Sequence, residues 1–218
     1  PCGSPRGKGG VGLSSNITGS CVERAGGGGN GIAGGSLGST SGGGGGGGYP
    51  GGTASNGCAN TGGGGGGSGR PDDNGGQGGS GVVIVKELNK ASGVWNLKTL
   101  FREKTNPAST FPDGSKVLGV DLDYLIVAGG GAGAGSGGIG GGGGAGGYRA
   151  TGYGPSPLRG SARSQETCGT YTITIGAGAS GYNPSYSPGS FGSNASGKGN
   201  DSSIAFVSST ITATGGGG

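Results

Sequence analysis

The chain has 218 residues, of which 68 are Gly and 10 are Pro, with no steady Gly-X-Y period, so a collagen triple helix is excluded. Hydrophobic residues make up 28% and aromatics 6%, too few for a conventional side-chain core in a chain this long. The 14 Lys and Arg against 10 Asp and Glu leave a net charge of +4 with no basic run, which argues against binding nucleic acid through its phosphates.

The first glycine-rich region, 1–81, holds uninterrupted Gly runs at 26–29, 42–48 and 62–67. Such runs have almost no side chains to bury, and Gly gives up more freedom on ordering than any other residue. Either they are disordered, as composition alone suggests, or backbone packs directly on backbone. Polyproline II helices allow the second, because their N–H and C=O groups stay free for neighbouring helices. Asn30, Ser36-Leu37, Tyr49-Pro50 and Arg70-Pro71-Asp72-Asp73 then read as turns between rods. Residues 14–18 and Val22 carry a little strand character.

A continuous apolar run, 82–86, predicts a strand buried on both faces. The stretch 87–120 is poor in Gly and holds the only Trp. Val94, Leu97, Leu100 and Phe101 fall near helical spacing after Ser92, which predicts one short helix over 93–103.

The tract 121–149 opens the second glycine-rich region and organises the rest: the strand formers Tyr124, Leu125, Ile126, Val127 and Ala128 run straight into Gly, Ala and Ser. Thr and Ile alternate over 170–175, and 204–207 with 210–214 read as a closing strand pair. The expected fold is a glycine-rich polyproline II helical bundle with a few short β-strands and one short helix. Its packing positions would include Gly42, Gly45, Gly48, Gly62, Gly65, Gly129, Gly130, Gly131, Gly141 and Gly144. Three parts follow: 1–86, a spacer 87–120, and 121–218.

Both glycine-rich regions resemble the glycine-rich domains of phage tail-fibre proteins. The likeness rests on DYLIVAGGG at 123–131, GGGGAGGYR at 141–149, YTITIGAG at 171–178, SFGS at 190–193 and ITATGGGG at 211–218. These look like the first half of such a domain. LSSNITGS at 13–20, AGGGG at 25–29, NTGGGGGG at 60–67 and GSGVVIVK at 79–86 look like its second half. The resemblance implies a sandwich of polyproline II helices, here with its halves in swapped order. A domain completed by the next copy would be heterologous and would build a filament. An arbitrary window of a longer repetitive protein would place the halves in the same order.

Candidate chemistry is sparse. The chain has no His, which removes the commonest general base and metal ligand, so no catalytic residue, metal ligand or cofactor-binding residue is assigned. Residues 133–138 fit G-x-G-x-x-G after a strand, but more Gly follows where a nucleotide-binding helix belongs. Asp72-Asp73, Asp121 and Asp123 suit a cation by type, without a calcium loop around them. Asn16, Asn194 and Asn200 head glycosylation sequons. Four cysteines, Cys2, Cys21, Cys58 and Cys168, form no C-x-x-C pair and favour disulfides in an oxidising setting. Of three pairings, Cys21–Cys58 with Cys2–Cys168 is preferred, though spacing leaves all three open. Tyr148, Tyr153, Tyr182 and Tyr186 sit in loops that could contact a receptor, or cap the ends of glycine rods.

No apolar run is long enough to span a membrane. Pro1 in place of an initiator Met suggests a processed chain or an excerpt, so the lack of a signal peptide is uninformative. The expectation is a non-enzymatic structural protein, extracellular or on a virion surface, whose partners are other copies of itself joined head to tail. The alternatives are a tail-fibre tip that binds a cell-surface glycan or protein receptor and, through Thr170, Thr172 and Thr174, an ice-binding protein.

Overall fold

The computed structural model describes residues 8–31, 54–69, 74–87, 120–135, 140–152, 155, 158–166, 170–181, 197–206 and 209–218. They contain ten strands: β1 (Leu13–Ser15), β2 (Val22–Arg24), β3 (Val82–Glu87), β4 (Val120–Val127), β5 (Tyr148–Thr151), β6 (Arg159–Gly160), β7 (Arg163–Glu166), β8 (Thr172–Thr174), β9 (Ser202–Ala205) and β10 (Thr210–Ala213). β1 and β2 form an antiparallel hairpin, and β10-β9-β8 form a second antiparallel sheet. The third sheet is built on β4. It pairs β3 along one edge, and β5 and β7 along the other, with β6 parallel to β5.

β4 is a strand because it concentrates the apolar residues that the chain otherwise lacks. Leu125 and Val127 point to one side, where Ile17, Ala25, Tyr148 and Ala150 meet them. Tyr124, Ile126 and Ala128 point to the other, against Ile204, Phe206 and Ala213. Alternation along a pleated strand thus buries both faces of β4, one under the β1–β2 hairpin and the other under the β8–β10 sheet. Phe206 is wedged between Tyr124 and Tyr171, with ring centroids 6.1 and 5.9 Å away, and the Arg163 guanidinium lies 4.9 Å from its centroid. These are ordinary distances for tilted ring pairs and for a cation over a ring.

This architecture corrects the expected fold class. The described residues are organised by three β-sheets rather than a helical bundle, and no α-helix occurs among them. Apolar side chains are few, but strands collect them on the two faces of β4, so a compact side-chain core forms after all. The helix expected at 93–103 lies outside the described residues. β3 is not buried on both faces. It is an edge strand, half-buried, with Val85 41% exposed.

A candidate assembly site in the glycine lattice

Directly after β4 the chain enters the segment 128–134, whose side chains are at most methyl groups. It forms no strand ladder. Its seven consecutive amides go out in rotation with a period of three, at N···O distances of 2.8–3.0 Å. Ala128, Gly131 and Ala134 donate to Gly147, Gly144 and Gly141. Gly129 and Ala132 donate to Asn200 and Gly197, while Gly130 and Gly133 donate to Gly79 and Gly76. In return, its carbonyls accept from Gly65 and Ser68, from Ala179, and from Gly216. One extended segment is therefore enclosed by six others, held through main chain alone.

The neighbours repeat the pattern. Gly64 and Gly67 donate to Gly26 and Gly29; Gly28 and Gly31 donate to Gly143 and Gly140; Gly140, Gly143 and Gly146 donate to Ser68, Gly65 and Gly62. Steps of three in each register mean three residues per turn. The spacing between segments is set by backbone atoms, so a side chain has no room. A Cβ on Gly131 would fall on the carbonyl oxygen of Gly217, and one on Gly130 on that of Gly63. These buried amides and carbonyls find partners only across segments, and an unmade buried bond costs on the order of 1–3 kcal/mol.

The lattice mixes the two glycine-rich regions. Segments 62–68 and 75–81 of the first region flank 128–134 of the second, and β3 of the first is zipped to β4 of the second. Short polar links fasten the edges. Thr151 Oγ1 accepts from the Tyr124 amide (2.9 Å) and donates to Asp123 Oδ1 (2.7 Å). The buried carboxylate of Asp123 thereby has a donor, as a buried polar group requires. Ser202 Oγ accepts from Gly176, and Asp201 Oδ1 accepts from Gly215. Burial raises the Tyr124 pKa above its ordinary value, with Arg163 and Arg149 opposing.

A family model for a glycine-rich domain matches residues 105–218. The chain belongs to that glycine-rich domain family. No curated protein and no solved structure matches it. The matched span of the glycine-rich domain contains 128–134 and four of its enclosing partners. The other two, 62–68 and 75–81, come from the part of the chain outside the match.

Gly62, Gly65, Gly129, Gly130, Gly131 and Gly144 are brought together in the lattice. Gly141 lies at its rim: its carbonyl accepts from Ala134, yet a Cβ there would meet nothing within 4 Å. Gly42, Gly45 and Gly48 lie outside the described residues. Gly133 and Ala134 of the G-x-G-x-x-G stretch spend their amides on Gly76 and Gly141.

The preferred Cys21–Cys58 disulfide is corrected. Both thiols are free and exposed. Cys21 follows the β1–β2 turn, and Cys58 sits in a separate turn closed by its own carbonyl accepting from Thr61 Oγ1 (2.6 Å), so hydrogen bonds hold each loop without a cross-link. Cys2 and Cys168 lie outside the described residues.

Tyr148 is not in a receptor loop: it is 7% exposed, on β5, packed into the cluster beneath the hairpin. Tyr153, Tyr182 and Tyr186 lie outside the described residues. Asp72-Asp73 also lies outside them, as does the side chain of Asp121.

Two features escaped sequence reasoning. One is β5–β7, whose polar, short strands carry no alternating signal. The other is the continuation, onto Thr210 and Thr212 of β10, of the threonine row that the alternation over 170–175 already predicts. Register places Thr172 and Thr210 on either side of Ala205, and Thr174 and Thr212 on either side of Ser203, all on one face of the β8–β10 sheet. The four threonines are exposed, while Ile204 on the opposite side is buried. A strand repeat of two puts successive threonines about 6.8 Å apart along each strand.

Proposed function

We propose that the chain is a non-enzymatic structural subunit, extracellular or virion-borne, that joins copies of itself head to tail into a filament. Segments 62–81 and β3 of one copy would complete 128–134 and β4 of the next. The observation that carries this reading is the mixed lattice: neither region satisfies its buried backbone groups by itself. The structure is the closed form, in which one chain supplies both. Exchange would make the same contacts in trans, as in domain swapping, and an unclosed exchange propagates. The connection between Glu87 and Val120 is roughly 30 residues long, with a fully extended reach on the order of 100 Å. Covalent length therefore permits either form, and protein concentration against the tethered effective concentration decides between them. The resemblance to tail-fibre glycine-rich domains, with the halves in swapped order, supports the same reading.

The register supplies a test. Glu87 and Leu122 face each other at the open end of the β3–β4 pair, and paired Cβ atoms stand about 4.5–5.5 Å apart. In a background with the native cysteines changed to Ser, Glu87→Cys with Leu122→Cys should oxidise into a ladder of covalent multimers. Negative-stain microscopy of the same sample should show filaments whose repeat tracks one copy. A product cross-linked wholly within single chains, with no filaments at any concentration, would reject the proposal.

A second reading, ice binding, draws on the exposed threonine face. It requires thermal hysteresis from the full chain, lost when Thr174 and Thr212 are changed to Lys. Ice growth unaffected by the wild type would end it.

A further inference from the structure

The underside of the β1–β2 hairpin holds a buried guanidinium, one nitrogen of which finds no hydrogen-bond partner among the described residues. Antiparallel register places Leu13 opposite Arg24 and Ser15 opposite Val22, so all four share the inward face, while Ser14 and Glu23 turn outward. That inward face packs on Tyr148 of β5. Arg24 is only 8% exposed, Tyr148 7% and Ser15 2%. Yet Arg24 Nη1 and Tyr148 Oη have no hydrogen-bond partner among the described residues. Ser15 Oγ accepts from the Ile17 amide (3.3 Å), which leaves its own proton to donate. Arg24 Nη1 and the Tyr148 hydroxyl thus converge with Ser15 in one buried corner, and those two donors stay unmatched among the described residues. A buried guanidinium nitrogen without an acceptor is strongly disfavoured, and the unpartnered Tyr148 hydroxyl beside it adds to the penalty.

We infer that this corner binds a carboxylate, held by the Arg24 guanidinium with the Tyr148 and Ser15 hydroxyls as further donors. A guanidinium matches the two oxygens of a carboxylate in planar, charge-assisted geometry. Burial raises the Tyr148 pKa, opposed by the neighbouring Ser15 hydroxyl and by the Arg24 charge. The phenol therefore stays protonated at neutral pH and is available to donate. The carboxylate comes either from a small free acid or from a side chain of a second copy. The site lies wholly within one copy's hairpin and β5, so it stands whether or not copies exchange segments.

Acetate is the probe. The full-length chain is melted at constant ionic strength while acetate replaces chloride. The wild type should gain thermal stability with a saturating acetate dependence. Arg24→Gln should lose that dependence, and Tyr148→Phe should weaken it by about tenfold, the worth of one bond to a charged group. With a free acid, the acetate response is the same at low and high protein concentration. With a carboxylate from a second copy, acetate also competes with association, and Arg24→Gln weakens that association. If acetate shifts neither melting nor association, and Arg24→Leu is more stable than wild type, the corner is only an uncompensated charge and the inference fails.

Discussion

Gly65→Ala should destabilise the chain by about 3 kcal/mol, the upper end of what overpacking ordinarily costs, whereas Gly141→Ala should leave stability unchanged or raise it by about 0.5 kcal/mol. The chemical change is the same single methyl group. At Gly65 the new Cβ falls on the Gly76 carbonyl oxygen, with the Gln77 oxygen 2.7 Å away, and both are backbone. Neither oxygen can retreat cheaply. Gly76 donates to Gly66 and accepts from Gly133, so displacing it breaks a register shared by three segments. Gly65 also donates to Gly131 and accepts from Gly143. At Gly141 the methyl enters open space, and the gain comes from restricting the unfolded chain. Urea unfolding followed by circular dichroism separates the two variants. Equal stability would mean that the lattice does not hold the molecule together.

The second large effect belongs to the side-chain core. Ile126→Ala should cost about 2–5 kcal/mol, the range for emptying a fully buried aliphatic site. Ile126 is 0% exposed, on the face of β4 that meets Ile204 and Phe206. With apolar residues so few, no neighbour is available to fill the gap. Ile173→Ala is the comparison, because Ile173 is 49% exposed at the edge of the β8–β10 sheet and its truncation should cost under about 1 kcal/mol. Similar losses at both positions, read from the same urea curves, would show that β4 is not the centre of the core. Against a total stability of about 5–15 kcal/mol, either large effect alone would leave the chain marginal.

Much of the local structure was legible in particular residues. The apolar run at 82–86 became β3, the run at 124–128 supplied the second half of β4, and the alternation at 170–175 contains β8. The closing pair at 204–207 and 210–214 is β9 and β10, displaced by a residue or two. The strands after Tyr148 were not legible, since Arg, Ser, Gln and Thr there take their register from β4 and not from any pattern of their own. The Cys21–Cys58 pairing failed for a related reason: an even count of cysteines says nothing about which turns carry them. Tyr148 read as a loop residue because Gly surrounds it on one side, yet its ring fills space beneath the hairpin. The candidate assembly site was half visible. Which tracts are too bare for side-chain packing can be read from composition, but which tract neighbours which cannot.

That division has a physical origin. Sequence alone determined where side chains are missing, where the few apolar strands run, and that glycine main chain must either stay unfolded or bond to itself. Tertiary structure alone decided that 128–134 sits at the centre with segments from both regions around it, that three sheets frame the lattice, and that Arg24 Nη1 is buried with no hydrogen-bond partner among the described residues. Every Gly presents the same donor and the same acceptor, so a glycine tract encodes the capacity to bond but not the identity of its partner. The partner is chosen by the side chains at the ends of each tract, through the strands that those side chains lock into register.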